Sequence, residues 1–242
     1  MDNLGMSRTE WRELVESLEE VGVDYEKVNS LVTFGLVDKW RRHVATLAND
    51  DDVVLEIGSG PGYFTRHLKA RTVYCLEPSL RFANSVKDVL DQGRVTLLRG
   101  VAEKIPLADK TIDKVFCVFS FRDFFDRPAA LGEMNRVLKD GGEVIIADVA
   151  KPESGPLAKM LELHFKALVP VLAHVAVSPS SREVWARDPY SKLIDTWLAY
   201  GSPPQNEELL RQRGFSGVKT EYLELKGATM TRGKKPWKST SL

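Results

Sequence analysis

Three glycines at alternate positions, Gly58, Gly60 and Gly62, follow directly on an apolar run, Val53 to Ile57, in which Glu56 is the one charged residue. A buried strand feeding a glycine turn and then a helix, here read from Tyr63 to Leu68, is the ligand-binding corner of an open α/β sheet. Glycine suits that corner because the backbone takes angles a side chain forbids, and because a ligand lies against bare main chain. A second acid, Glu77, closes the next apolar run, Thr72 to Pro78, nineteen residues beyond Gly58. A carboxylate at that point of such a sheet accepts hydrogen bonds from the hydroxyls of a ribose.

The spacing G-x-G-x-G is not the dinucleotide pattern G-x-G-x-x-G, and Tyr63 stands where that pattern has its last glycine. Glu56 would repel a pyrophosphate but suits a cation or an amino group. S-adenosylmethionine (SAM) carries a sulfonium and an α-amino group and no phosphate, so it fits both acids. A nicotinamide dinucleotide is disfavoured by the same residues. The plain alternative is a glycine turn without a ligand, flanked by two surface carboxylates.

The elements that must hold these residues are legible along the 242-residue chain. Ser7 and Glu10 have capping-box spacing ahead of Trp11, Leu14, Val15 and Leu18 at helical intervals. Tyr25 to Trp40 reads as a further helical cover around Phe34-Gly35, leading to a helix from Trp40 to Leu47. After the polar turn 49–52, strands and helices alternate, the pattern of a parallel sheet covered on both faces. Strands are expected at Val53–Ile57, Val73–Glu77, Val95–Leu98, Ile112–Phe119 and Glu143–Val149, with helices over about Leu80–Leu90 and Ala129–Leu138. Asp140-Gly141-Gly142 reads as the stop between the last helix and strand. Residues 157 to 177, interrupted by Pro170, read as a helical excursion that closes over a site. Asp188–Tyr200 and Asn206–Gln212 look helical, Val218–Leu225 reads as a strand, and Ala228–Gly233 as its antiparallel partner. The chain therefore divides into an N-terminal helical cover, 1–48, and a domain, 49–242, with an insertion at about 152–200.

Lys plus Arg and Asp plus Glu each number 34, a neutral balance that argues against a nucleic-acid partner. Lys234, Lys235 and Lys238 read as a solvated tail. Cys75 and Cys117 fall in apolar runs, as buried thiols of a reducing compartment do. No leader pattern and no membrane-length apolar run is present, so a cytoplasmic protein is expected, with membrane-surface contact not expected and homo-oligomerisation left open. No metal-ligand spacing and no nucleophilic triad emerges.

The residues Glu56 to Gly62, Glu77, Gly100 to Leu107 and Arg136 to Gly142 resemble class I SAM-dependent methyltransferases. A narrower likeness extends from about residue 25 to 233. Tyr25 to Asn29, Phe34-Gly35 and Trp40 to Arg42 look like the opening segment of the ubiquinone/menaquinone biosynthesis C-methyltransferases. Phe119 to Phe124, Ala147 to Pro152 and Gly214 to Val218 are similar to further signatures of that family. The resemblance implies a Rossmann-like, seven-stranded, mostly parallel sheet in the order 3-2-1-4-5-7-6, with helices on both faces and the last strand antiparallel. It implies SAM as cofactor, held by Glu56, Gly58, Gly60, Gly62, Thr65 and Glu77, with Val101, Ala102 and Glu103 at the adenine. Two positions depart from the family pattern: Val101 and Val118 replace residues that are usually polar. They mark a divergent relative whose acceptor need not be a respiratory quinone.

Methyl transfer from a sulfonium needs alignment and exclusion of water, because the leaving group is already good. An aromatic carbon acceptor also needs its ring hydroxyl to lose a proton. Arg122 and Asp123, just past the fourth strand, are the candidate pair: the arginine as an electrostatic clamp, the aspartate orienting it or acting on the hydroxyl through a water. Tyr25 is a third member, facing the substrate or the methionine carboxylate. Phe119, Phe121, Phe124 and Phe125 are candidates to wall an apolar pocket, though strand alternation points Phe119 into the core. His164 and His174 lie in the excursion and read as surface or interface residues more readily than as bases. The expectation is a SAM-dependent methyltransferase of a small, largely apolar acceptor, with a quinol-type aromatic carbon as one such acceptor. O- or N-methylation of another metabolite and a SAM-binding regulatory protein without turnover are the competing readings.

Overall fold

The computed structural model describes residues 6–22, 24–87, 93–178, 182–185 and 189–237. Its strands are β1 (Val53–Ile57), β2 (Thr72–Glu77), β3 (Val95–Arg99), β4 (Ile112–Val118), β5 (Leu138–Val149), β6 (Ser216–Tyr222) and β7 (Ala228–Lys234). They form one seven-stranded sheet in the order β3-β2-β1-β4-β5-β7-β6. The first five strands pair in parallel, while β7 runs antiparallel to both β5 and β6. This is the expected order and the expected reversal.

The helices are α1 (Arg8–Val21), α2 (Tyr25–Val32), α3 (Leu36–Ala45), α4 (Leu80–Lys87), α5 (Arg127–Val137), α6 (Pro156–Leu163), α7 (Val169–Ala176), α8 (Arg182–Trp185), α9 (Pro189–Ala199) and α10 (Pro203–Gln212). Neighbouring strand residues feed opposite faces of the sheet. Leu55 and Ile57 join Leu131 and Met134 of α5 and Leu210 of α10 on one side. Val54 joins Trp40 and Val44 of α3, with Phe64 and Phe116, on the other. A third apolar cluster links the N-terminal helices to the excursion: Leu14, Val28 and Val32 pack with Val169, Ala173 and Ala176. Cover and excursion thus form a joint helical layer, near the ends of β1 and β4 where the glycine turn and Arg122 emerge.

The capping box at Ser7 forms, with Glu10 N–H donating to Ser7 Oγ and Ser7 N–H to Glu10 Oε2. Phe34 and Gly35 adopt φ of 52° and 76°, which ends α2 and lets α3 begin at Leu36, earlier than expected. Pro170 has no N–H to give, and the backbone ladder just before it widens into a π-helical turn, His164–Leu168.

Three expectations give way. Past Gly62 there is no α-helix, only a 3-10 turn, Thr65–His67, because the chain returns to extended geometry at Leu68 to enter β2. β5 runs straight through Asp140-Gly141-Gly142; a register shift against β4 and a φ of 80° at Gly141 absorb the turn residues as an irregularity. Lys235 is no tail residue: it is buried, and Nζ donates to the carbonyls of Asn135 (2.6 Å) and Leu138 (2.7 Å). Lys238 and the end of the helix expected to reach Leu90 lie outside the described residues. Both cysteines are free and buried, as expected.

Candidate active site

β1 delivers Glu56 to the floor of a cleft, almost fully buried, where Thr65 Oγ1 donates to its Oε2 at 2.6 Å. One hydroxyl is a poor substitute for water around a carboxylate, so burial raises the acid to about 8, against the pull of Thr65 and Arg41. The chain then turns through Gly58, Gly60 and Gly62 at φ of 70°, 53° and 85°. A Cβ on Gly58 would meet Ser120 Cβ at 2.6 Å, so this position excludes any side chain. Glu77 leaves β2 beneath the turn and accepts from Gly60 N–H at 2.7 Å and Ser79 N–H at 2.9 Å. Burial raises it to about 7 even so.

Gly58, Gly60, Glu56, Glu77, Val101, Ala102 and Glu103 all face this cleft. Thr65 and Gly62 do not; Thr65 sits wholly buried behind Glu56 and acts through it. Glu103 accepts from Asp126 N–H at 3.0 Å, which ties the Val101–Glu103 wall to the start of α5. Helix α1 crosses the cleft, with Trp11, Leu14, Val15 and Leu18 against it, and leaves an open cavity of about 130 Å³.

A second, larger cavity of about 730 Å³ adjoins the first and is chiefly apolar, with Trp40, Val37, Leu161, Phe165 and Trp197 in its walls. Tyr25, Arg41 and Phe119 line both cavities and form the partition between them. Phe119 reaches this place because β4 ends at Val118 and the next residue turns to φ 60°, which rotates its ring out of the alternation expected of a strand. Of the other phenylalanines, Phe124 also lines the cleft, while Phe121 and Phe125 line neither cavity. Phe121 is fully buried in the core, Phe124 packs edge-on to it, and Phe125 meets Trp11.

Arg122 lies in the 3-10 turn after β4 and faces the apolar cavity; Asp123 faces the cleft. The guanidinium is buried between two acids: Nη1 donates to Asp148 Oδ1, and Nε stands 3.5 Å from Asp123 Oδ1. Asp148, at the end of β5, also accepts from Arg122 N–H at 3.3 Å and is fully buried. Asp123 Oδ1 is buried and accepts no hydrogen bond among the described residues. Burial pushes the Asp123 carboxyl up to about 6, with Asp148 adding to the rise and Arg122 opposing it. Tyr25 on α2 is close enough to feel both Arg122 and Asp123, and burial keeps its phenol protonated above its ordinary value.

Two members of this site escaped the sequence. Arg41 is buried on α3, with its guanidinium 5.3 Å from the Tyr63 ring and 5.9 Å from the Phe119 ring. Of its donors, Nη1 is bonded to Glu26 at 2.6 Å, and none of the others has a hydrogen-bond partner among the described residues. Asp148 was visible only as an acid closing a buried strand, a signal read for its family likeness and not for its role. His164 Nε2 donates to the Val32 carbonyl at 2.8 Å in the cavity wall, while His174 is exposed.

A cleft with two buried acids, positive-φ glycines and one under-used guanidinium fits a ligand that carries both cationic and carboxylate groups beside a sugar. The charges, not the volume, make that fit.

Comparison with known proteins agrees. The model of the ubiE/COQ5 methyltransferase family matches residues 6–235. A demethylmenaquinone methyltransferase of Deinococcus radiodurans is 27% identical over 223 residues, 87% of this chain and 86% of its own. A ubiquinone/menaquinone biosynthesis C-methyltransferase UbiE of Geotalea daltonii is 25% identical over 231 residues, 91% of this chain and 95% of its own. Among solved structures, a SAM-dependent methyltransferase from Thermotoga maritima shares the fold with a TM-score of 0.64 at 21% identity, covering 92% of this chain and 99% of its own.

Proposed function

Because the chain belongs to the ubiE/COQ5 methyltransferase family and is a SAM-dependent methyltransferase, we propose that it methylates a ring carbon of a quinol-type acceptor held in the larger cavity. The observation that carries this reading is the partition. Tyr25, Arg41 and Phe119 are shared by a charged cleft and an apolar cavity, and the buried Arg122–Asp123–Asp148 set stands beside them.

Glu56 would take the ammonium of SAM, Glu77 the ribose hydroxyls, and the Val101–Glu103 wall the adenine. Arg41 would take the α-carboxylate with the N–H groups that have no hydrogen-bond partner among the described residues. SAM supplies a methyl group already activated on a sulfonium. The acceptor's hydroxyl then needs to lose its proton to make the ring carbon nucleophilic. Asp123 lines the cleft side and would take that proton through a bridging water, since a carboxyl near 6 is ionised at neutral pH yet basic enough to act. Arg122 stabilises the phenolate oxygen that results, and Asp148 holds the guanidinium in place. Phe119 and Tyr25 exclude water at the junction. As the ring carbon takes the methyl group, the methyl–sulfur bond would break and leave the neutral thioether; the ring carbon then loses its hydrogen as a proton to solvent and aromaticity returns.

Glu56 gives a test of cofactor placement that does not depend on turnover. Its pKa of about 8 in the free protein lies above the ordinary 4.5. Protonation therefore stabilises the ligand-free protein fully below 4.5, and this contribution is lost as pH rises through about 8. A cationic ligand beside the group favours the ionised form. SAM binding at pH 7 is thus expected to release about one proton, read by titration calorimetry in buffers of different ionisation enthalpy. Proton uptake would contradict the placement.

The acceptor is tested with purified protein, labelled SAM, and a panel of alkylated quinols, phenols and amines, the product position being fixed by NMR. Ring C-methylation of the quinols is expected. Products methylated only at oxygen or nitrogen would replace this reading with the O- or N-methyltransferase one.

A further inference from the structure

We propose that Thr196 is a positioning residue for methyl transfer: its hydroxyl, carried by helix α9, fixes the Asp123 carboxylate beside the acceptor. This deepens the acceptor reading above and rests on it. Thr196 is buried near the end of α9, and its hydroxyl donates a hydrogen bond to the Asp123 side chain. The two residues are far apart in the chain and meet because α9 packs on the 3-10 turn Phe121–Asp123. A buried hydroxyl needs a partner and a buried carboxylate needs donors, so each satisfies the other. Asp123 Oδ1 accepts no hydrogen bond among the described residues, which leaves it open to the bridging water of the proposed proton transfer.

The end of α9 is held with unusual care for a helix on an excursion. Its last carbonyls have no intrahelical donors, and two cations meet them. Lys151 Nζ donates to the carbonyls of Leu198 and of Tyr200, the latter at 2.6 Å, and Arg127 Nη2 donates to that of Ala199 at 3.2 Å. Trp197 Nε1 donates to the Ala150 carbonyl at 3.1 Å, which ties the same turn to the end of β5. Ile194 and Trp197 line the apolar cavity, where Trp197 stacks on Phe165 at 4.6 Å. One helical turn thus supplies both a wall for the acceptor and the hydroxyl that holds its base. Anchoring that turn keeps acceptor and base in register, where a small misplacement is costly.

The charge around Asp123 gives the hydroxyl a measurable consequence. The carboxylate is faced by Arg122 of its own turn, Cys117 of β4, Asp148 of β5, Arg127 of α5 and Tyr25 of α2. Burial and Asp148 favour the protonated acid; Arg122, Arg127 and the Thr196 hydroxyl favour the carboxylate. Loss of the hydroxyl therefore raises the carboxyl above its value of about 6. A base acts when ionised, so the rising limb of kcat/KM moves to higher pH with it.

The test follows the Asp123 carboxyl by NMR of protein with isotope-labelled aspartate carboxyls, its signal being the one missing from Asp123→Asn. Thr196→Val is expected to titrate about one pH unit higher than the parent, and Thr196→Ser close to the parent. The kcat/KM limb should move alongside, so that Thr196→Val loses about fivefold near the parent's midpoint and little in alkali. A Thr196 that merely packs would lower the melting temperature in Thr196→Val and leave the titration in place. That result, or a Thr196→Ser that titrates with Thr196→Val, would overturn the proposal. Thr196→Ala removes the same hydroxyl and stands in should Thr196→Val not fold. The titration needs no turnover, so the two readings fail separately. An unmoved titration removes Thr196 alone, whereas a titration that moves while the kcat/KM limb stays removes Asp123 as the base and the positioning role with it.

Discussion

Replacing Arg122 with lysine is expected to lower turnover on a phenolic acceptor by about 10²- to 10³-fold, the usual loss when one donor to a developing oxyanion is removed. SAM affinity should stay within about twofold, because Arg122 faces the apolar cavity and not the cleft. Lysine keeps the charge between Asp148 and Asp123 but lacks the planar fork that lets one side chain face both acids and a substrate oxygen. Alanine would be a poorer probe. It would remove the cation that two buried carboxylates share and leave only Arg127 nearby, a loss on the order of 3–5 kcal/mol in stability that would mask catalysis. The companion change, Asp123→Asn, separates clamp from base. The parent's kcat/KM should rise with pH through about 6, as Asp123 ionises. In Asp123→Asn that limb should vanish along with most of the activity. Rates measured from pH 5 to 9 decide it, and a limb unchanged in the variant would remove Asp123 from the proton transfer.

The second large effect is expected at Arg41. Hydrogen bonds to charged groups contribute about 1.5–3 kcal/mol, so Arg41→Gln should weaken SAM binding by about 10- to 100-fold. Weakening alone would not show what Arg41 grips, since it also supports Glu26 and stacks on Tyr63. Decarboxylated SAM, which lacks only the carboxylate, resolves this. The parent should bind it about 10- to 100-fold more weakly than SAM. Arg41→Gln should bind the two alike. If the variant still prefers SAM by the parent's ratio, the carboxylate is held elsewhere.

What could be read from residues alone was the chemistry that is local in the chain. A strand, a glycine turn and two acids lie within Val53 to Glu77, and their spacing carries the meaning. The sheet order followed from the same source, through the likeness those residues show. Long-range placement was less legible. Arg41 is 15 residues from its partner Glu26 and joins the cleft only when α3 packs on the sheet, so Trp40 to Arg42 carries a family likeness without showing what Arg41 does. The aromatic assignments were half right, since Phe119 and Phe124 line the cleft and Phe121 and Phe125 do not. Alternation holds inside a strand, and Phe119 lies one residue past its end, where a positive φ lets its ring pack on the core cluster of Trp40 and still line both cavities. Lys235 was misread because nothing in a basic C-terminal stretch reveals two carbonyls waiting for its ammonium. The position of α1 across the cleft was also unreadable: its capping box and apolar face specify a helix, and not what that face covers.

Two chambers meet at Tyr25, Arg41 and Phe119. A crystal structure of the protein with S-adenosylhomocysteine and an alkylated hydroquinone tests that most directly. The nucleoside is expected over Glu77, the amino-acid end between Glu56 and Arg41, and the quinol ring beyond Phe119 with one oxygen at Arg122. A nucleoside bound outside the cleft, or a quinol ring on the cleft side of Phe119 and away from Arg122, would contradict it.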